Sequence, residues 1–226
     1  MLTVENLNFS YKKIAVLKDI TFHIQKGSCV GIVGANGCGK STLLSVLAGT
    51  LSPASGSYFL KQINARKHPK TICRYIGYVP QENPLIPELT VKDNLSLWYA
   101  GTSYSLSEDL QNGFPSVLSI SECLHTPVHK LSGGMKKRIS IAIALASHPE
   151  LLILDEPSAA LDLVCKHDIH TYLSAYLKQG GTILLTTHEE SELDFCQFLY
   201  VLKQGKLHAI SPAIRGTELL SQLTDH

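Results

Sequence analysis

The residues most able to do chemistry form one glycine-rich run, Gly34-Ala35-Asn36-Gly37-Cys38-Gly39-Lys40-Ser41-Thr42. Gly34, Gly37 and Gly39 let the backbone turn sharply and aim successive N–H groups inward, an arrangement suited to a chain of phosphates. A helix predicted to begin near Lys40 adds the positive end of its dipole at the same place. In such a loop Lys40 reaches the β- and γ-phosphates as a point charge. Ser41 ligates Mg²⁺, and Thr42 contacts the α-phosphate. A second group follows an apolar run, Leu151-Leu152-Ile153-Leu154-Asp155-Glu156. Two carboxylates emerging from a buried strand beside bound phosphates suit two roles. Asp155 suits Mg²⁺, directly or through water, and Glu156 suits a general base that polarises an attacking water.

These residues need a frame, and the patterning around them predicts one. Ile20, Phe22 and Ile24 alternate with Thr21, His23 and Gln25, so the first thirty residues read as antiparallel strands with one wet face. Cys29–Val33 is a short buried strand entering the glycine loop. Leu43, Leu44 and Leu47 supply the apolar stripe of the helix that leaves it, and Pro53 and Gly56 are expected to end that unit. Tyr75–Val79 is a further strand candidate. From Glu82 to about Lys130 the character changes: Pro84, Pro87, Pro115 and Pro127 punctuate helical patches such as Val91–Tyr99. A helix is expected from about Met135 to Ser147. Leu151–Leu154 reads as a parallel strand covered on both faces. A helix over Leu163–Lys178, a strand over Thr182–Thr186 and a hairpin of Phe198–Lys203 with Lys206–Ile210 complete the order. Alternating strands and helices imply a parallel sheet with crossovers.

Composition bounds the rest. The chain has 226 residues, 44% apolar and 17% charged, with 20 basic against 19 acidic residues and a net charge of +1. Such a balance lacks the clustered basic surface of non-specific nucleic-acid binding, so no nucleic-acid partner is expected. The densest basic run, Lys136-Lys137-Arg138, reads as a solvated turn at a helix start. Six scattered cysteines without a Cys-x-x-Cys pair suggest reduced thiols in a cytosolic setting. The start of the sequence does not read as a signal peptide. The longest apolar stretch, Ile141 to Ala146, falls far short of the roughly 20 residues that span a bilayer, so a membrane role is expected to come through a partner.

Taken together, the glycine loop, the acidic strand end and Leu131-Ser132-Gly133-Gly134-Met135 resemble the ATP-binding-cassette family, from about Leu2 to Ile210. The resemblance implies an α/β fold: a P-loop NTPase (RecA-like) core with a mainly parallel sheet, an N-terminal antiparallel β subdomain and an inserted helical subdomain. It divides residues 1–210, a single ABC ATPase domain, into a core lobe of 1–81 and 135–210 and a helical subdomain of 82–134, leaving 211–226 as a short tail. ATP and Mg²⁺ are the implied ligands.

Residue by residue, Tyr11 resembles the aromatic that stacks on adenine. Gln81 resembles the glutamine that contacts Mg²⁺ and the water. His188 resembles the switch histidine at the γ-phosphate, and Ala159–Asp162 the loop that touches the partner's site. Ser132, Gly133 and Gly134 resemble the signature that completes the ATP pocket of an opposite subunit. A second nucleotide-binding domain is therefore implied, together with transmembrane permease subunits that would hold the chain at the cytoplasmic face of the membrane.

The Gly-Gly-Met-Lys form of the signature resembles exporter-type cassettes; import is the alternative. A non-transport ABC ATPase is disfavoured by the short stretch between Gln81 and Leu131 and by the single P-loop. A catalytically dead cassette is disfavoured by the presence of Glu156 and His188. Cys38, close to a cation and a helix start, is expected to have a lowered pKa and to react, with ATP protecting it. His167 and His170 read as a solvated helix face, Glu189-Glu190 as polar surface, and Trp98-Tyr99 as either small-lobe core or a docking groove.

Overall fold

The computed structural model describes residues 1–113, 116 and 118–223, which leaves Pro115 and the last three residues of the 211–226 tail outside the described residues. Two sheets organise the described chain. The first is antiparallel, in the order β2-β1-β4-β5. Its strands are β1 (Leu2–Tyr11), β2 (Ile14–Ile24), β4 (Ser55–Leu60) and β5 (Ile63–Asn64). In β1 the buried positions run Leu2, Val4, Leu7 and Phe9, so the alternation slips by one residue in the middle. Asn6 takes a positive φ of 47° there, and the pairing with β2 shifts register between Val4 and Leu7. One extra residue in one strand thus keeps apolar side chains on the core face.

The second sheet has the order β10-β9-β3-β8-β7-β6. It comprises β3 (Cys29–Val33), β6 (Ile76–Val79), β7 (Leu151–Asp155), β8 (Thr182–Thr186), β9 (Phe198–Lys203) and β10 (Lys206–Ile210). All neighbours pair in parallel except the terminal hairpin of β9 and β10. Every residue of β3, β7 and β8 is buried, as covering of both sheet faces requires. Each Leu or Ile so buried contributes roughly 1.5–3 kcal/mol of transfer free energy. The parallel arrangement brings the C-terminal ends of β3, β7 and β8 to one edge, where ligands bind in such sheets.

The helices are α1 (Lys40–Leu47), α2 (Pro69–Ile72), α3 (Val91–Tyr99), α4 (Leu106–Asn112), α5 (Gly133–Ala144), α6 (Leu163–Lys178), α7 (Glu190–Leu193) and α8 (Gly216–Leu223). Between β6 and β7, Thr90 caps α3 reciprocally with Asp93. Val91, Leu95, Leu118, Ile120 and Val128 join Ile139, Ile141 and Leu152 in one apolar cluster, so this stretch is packed onto the sheet. Among the described residues no helix is long and apolar enough to cross a membrane.

Several expectations are corrected. Gly56 does not end the α1 unit but lies within β4, a strand the alternation rule passed over because Ser55, Gly56 and Ser57 give it no apolar start. Tyr75 closes a 3₁₀ turn rather than opening β6. Helix α5 starts at Gly133 and stops at Ala144, because Ser132 caps it and three turn residues precede Pro149. The Lys136–Arg138 run is not a solvated turn: Lys137 and Arg138 are buried. Arg138 reaches Asp168 at 2.5 Å and Cys165 Sγ at 3.5 Å across to α6.

His170 is not on a solvated face either. It packs edge-on against Phe195, while His167 is exposed. Glu189 and Glu190 lie at the surface but are engaged, Glu189 with Lys166 and Glu190 with the N–H of Gly216. Tyr99 is buried and donates to Asp109 Oδ2 at 2.7 Å, whereas its neighbour Trp98 is half exposed.

Candidate functional site

The glycine loop leaves β3 and ends on α1. Gly39 occupies the cap position with φ 110°, and a Cβ there would lie 2.8 Å from Val16 Cγ1. Only glycine takes this position without strain. No side chain caps α1, so its first N–H groups stay available to a ligand together with the dipole. Lys40 is buried, and its ammonium sits at the loop. It donates to Gly34 O at 2.8 Å and Ala35 O at 3.4 Å, and its Nζ lies 3.1 Å from His188 Nε2. A buried ammonium requires such partners.

Cys38 departs from expectation. Burial pushes its thiol above the ordinary value, outweighing the charge and backbone N–H of Lys40 and its own N–H, which act in the opposite direction. For this half-buried sulfur the desolvation of the thiolate outweighs the nearby charge.

The carboxylates arrive from two strands away. Asp155 is the last residue of β7, buried, and pairs in register with Thr186 of β8. The Thr186 hydroxyl donates to Asp155 Oδ1 at 2.6 Å and accepts from the Glu156 N–H at 3.2 Å. The Thr186 carbonyl also accepts from that N–H, at 3.1 Å. So held, Glu156 adopts φ 48°, a left-handed conformation that costs a non-glycine residue roughly 1–3 kcal/mol. The turn lifts its carboxylate off the sheet. Glu156 Oε1 then stands 3.4 Å from His188 Nε2 and 4.0 Å from Lys40 Nζ, and Oε2 accepts from Gln81 Nε2 at 3.3 Å. Thr186 was not singled out by sequence reasoning; its signal was a threonine at a strand end, level with an acid on the next strand. Val16, which walls the cleft, carried no signal.

A cleft of about 570 Å³ is lined by Tyr11, Val16, Asn36, Gly37, Gly39, Lys40, Ser41, Thr42, Gln81, Glu156 and His188, while the predicted metal ligand Asp155 is buried and is not part of that lining. Gly34, Ala35 and Cys38 complete the loop behind it. Tyr11 is the last residue of β1, half exposed and edge-on to Phe9 with ring centroids 4.9 Å apart.

The remaining predicted residues gather elsewhere. Ser132 caps α5 by accepting from the Met135 N–H at 3.3 Å. Asp162 caps α6 by accepting from the Cys165 N–H at 2.8 Å, and those backbone N–H bonds hold its carboxyl below the ordinary value. A Cβ on Gly134 would come within 4.0 Å of Asp162 Oδ2, so the two caps are neighbours. Ser132, Gly133 and Asp162 are exposed, and none of them lines the cleft. One chain therefore presents two separate groups of predicted site residues, the cleft and the paired helix starts at Ser132 and Asp162.

Fit to ATP and Mg²⁺ can be tested on the donors present. The uncapped α1 N-terminus with Lys40 suits phosphate. The Ser41 hydroxyl, Gln81 amide and Asp155 carboxylate are hard oxygen donors of the kind Mg²⁺ takes.

Comparison with known proteins gives a consistent picture. Residues 17–159 match the family model described as ABC transporter. The linearmycin resistance ATP-binding protein of Bacillus subtilis is 34% identical, over 99% of this chain and 72% of its own. A Nod factor export ATP-binding protein I of Ralstonia nicotianae is 34% identical, over 91% of this chain and 65% of its own. An Fe(3+) ions import ATP-binding protein of Haemophilus influenzae is 35% identical, over 92% of this chain and 60% of its own. The chain thus spans 60–72% of the length of these relatives. Among solved structures, a dimeric post-hydrolysis ATP-binding cassette bound to ADP and Pi superposes with a TM-score of 0.85 at 27% identity. It covers 96% of this chain and all of that one.

Proposed function

The chain belongs to the ABC transporter family, and from that premise we propose that it binds and hydrolyses ATP to drive transport through separate membrane-spanning partners. The observation that carries the reading is the convergence of Glu156, His188, Gln81 and Lys40 at the mouth of an uncapped helix N-terminus. In the reaction ATP + H₂O → ADP + phosphate, Lys40 exchanges its carbonyl partners for the β- and γ-phosphates. Glu156 orients the attacking water and accepts its proton. His188 Nε2 either accepts from Lys40 or donates toward Glu156, so recruiting Lys40 to phosphate frees the imidazole to contact the γ-phosphate. Gln81 donates to the Glu156 carboxylate through Nε2, and its amide oxygen would be the donor offered to Mg²⁺. When bound, Mg²⁺ on Ser41, Gln81 and Asp155 neutralises phosphate charge. Tyr11 stacks on the adenine.

The surface of Ser132, Gly133, Gly134 and Asp162 is then the second half of a site built on another cassette. Two copies, or this chain and a paralogue, must meet head to tail before phosphates are enclosed. Preorganised N–H groups facing the developing charge are what such an enclosure adds. A separate apolar groove of about 430 Å³, bordered by Ala48, Tyr78, Trp98, Thr102, Ile143 and Ala144, suits a permease segment. Docking there would place the chain on the cytoplasmic face of the membrane.

Export is the direction we favour, from the Gly133-Gly134-Met135-Lys136 signature and the export and resistance names of two relatives. A relative named for Fe(3+) import keeps import as the second reading. The reading is tested by Glu156→Gln, expected to lower kcat on the order of 10³-fold while ATP binding persists and a nucleotide-bound dimer accumulates on gel filtration. Undiminished phosphate release by that variant would remove Glu156 as the base.

A further inference from the structure

The two groups of site residues in one chain are physically connected through a residue that the reading above does not use. Lys137 is the fifth residue of α5, the helix whose N-terminus carries Ser132, Gly133 and Gly134. It is 5% exposed. Its Nζ donates to two consecutive main-chain carbonyls, Pro80 O at 3.1 Å and Gln81 O at 3.0 Å. Three residues along the same helix, the buried Ser140 hydroxyl lies 3.0 Å from both Asn83 Oδ1 and Lys136 O, which share its one proton. Residues i and i+3 share a helix face, so one face of α5 grips the segment 80–83 at both ends.

The grip has a direction. Bonding both carbonyls fixes the peptide planes on either side of Gln81, and the ring of Pro80 already fixes the φ before it. With its main chain held, the Gln81 side chain projects to Glu156, where Nε2 donates to Oε2 at 3.3 Å. A path of hydrogen bonds therefore runs from α5 through Lys137 and the Gln81 backbone to the Glu156 carboxylate. Helix α5 is stiff over the one turn, about 6 Å, that separates Gly133 from Lys137. Burial lowers the Lys137 pKa from its ordinary value, while Asp155, Glu156 and Glu192 hold the charge on it. A buried ammonium is a costly tether for a loop that any apolar residue could pack against.

We infer that Lys137 is a positioning residue for hydrolysis, transmitting the seating of phosphate on the N-terminus of α5 to Gln81 and hence to Glu156. This rests on the hydrolytic reading of the cleft. It adds that the cleft of one chain senses whether the α5 surface of that same chain is engaged. A cation that merely packs the core would affect folding without acting through Gln81.

The experiment is a double-mutant cycle on the purified full chain with Mg-ATP: Lys137→Met, Gln81→Ala and the pair. Phosphate release gives kcat, a fluorescent ATP analogue gives binding, and thermal melting confirms the fold. Lys137→Met is expected to lower kcat about 10-fold, the scale of a small misplacement of reacting groups, with analogue affinity unchanged. The pair is expected to be no slower than Gln81→Ala alone, since the two residues act in series. Wild-type kcat in Lys137→Met, or losses that multiply in the pair, would overturn the inference. Should Lys137→Met not fold, Lys137→Gln, which keeps N–H donors without the charge, replaces it in the same cycle. Glu156→Gln runs alongside: its inactivity together with a fully active Lys137→Met sinks this inference alone. A wild-type chain without ATP turnover sinks both.

Discussion

The N-termini of α1 and α5 are both glycine-flanked, yet they are built in opposite ways. Helix α1 has no side-chain cap, and Gly39 holds its entry in a left-handed turn beside the buried Lys40. Helix α5 is capped by the Ser132 hydroxyl, and Ser132 and Gly133 lie open to solvent. The first is a cradle that keeps its N–H groups and a cation for an incoming anion. The second has already met one of its N–H needs internally and lies exposed beside the Asp162 carboxylate. An open surface of that kind binds weakly by itself and gains from being pressed onto a ligand held elsewhere. The contrast shows how, on the proposed reading, one chain would carry two phosphate-facing helix ends without two independent binding sites.

The largest test breaks the two ends separately. Lys40→Ala should weaken ATP binding roughly 10- to 100-fold, the scale of a lost charged hydrogen bond. Gly133→Asp should leave binding in the cleft intact, because a Cβ on Gly133 meets nothing within 4 Å. It should still cut turnover by at least about 100-fold, through a carboxylate facing phosphate. Mixing the two inactive chains should restore phosphate release, since each mixed dimer holds one composite site without a lesion. A mixture as inactive as its components would mean that both ends serve one site within a chain.

A smaller effect sharpens how enclosed the α1 side is. Alkylation of Cys38 should be slow at neutral pH and should rise along a titration whose midpoint lies above the ordinary value of 9.0, because burial disfavours the thiolate. ATP should slow it further. A midpoint below that value, read by mass spectrometry across a pH series, would show that the Lys40 charge prevails after all. The smallest effect belongs to the other helix. Ser132→Ala removes the cap of α5 and should cost about 1 kcal/mol of stability, seen as a lower Tm with the cleft's ATP affinity unchanged.

Much of this was legible in the sequence where a residue type has few physical alternatives. Gly39 before Lys40 admits little but a tight turn into a helix, and four apolar residues ending in Asp155-Glu156 admit little but a buried strand meeting water. Strand β4 was not legible, since its pairing with β1 depends on a distant partner rather than on its own Ser-Gly-Ser start. The Lys136-Lys137-Arg138 run misled for a related reason. A charge reads as solvated unless its acceptors are known, and those of Lys137 are backbone carbonyls more than fifty positions away. Thr186 was hidden because its role comes from register with Asp155, which periodicity does not report. The reversed direction of the Cys38 shift follows from partial desolvation of its sulfur, which depends on the packed molecule and not on the neighbouring residue types.

Strand β8 lies between β3 and β7, so the glycine loop and the acid spring from strands that never touch. Two steps of sheet spacing, about 10 Å in all, separate their roots, and that interval is enforced by main-chain ladders. The reach of the chemistry is thereby gauged by backbone and is indifferent to which apolar side chains fill the sheet. Exchanges such as Ile183→Val or Leu184→Ile should wear on stability without changing the working gap. Drift of the interior is harmless to the reaction until it reaches Thr186, the one residue of that spacer whose side chain touches the acids.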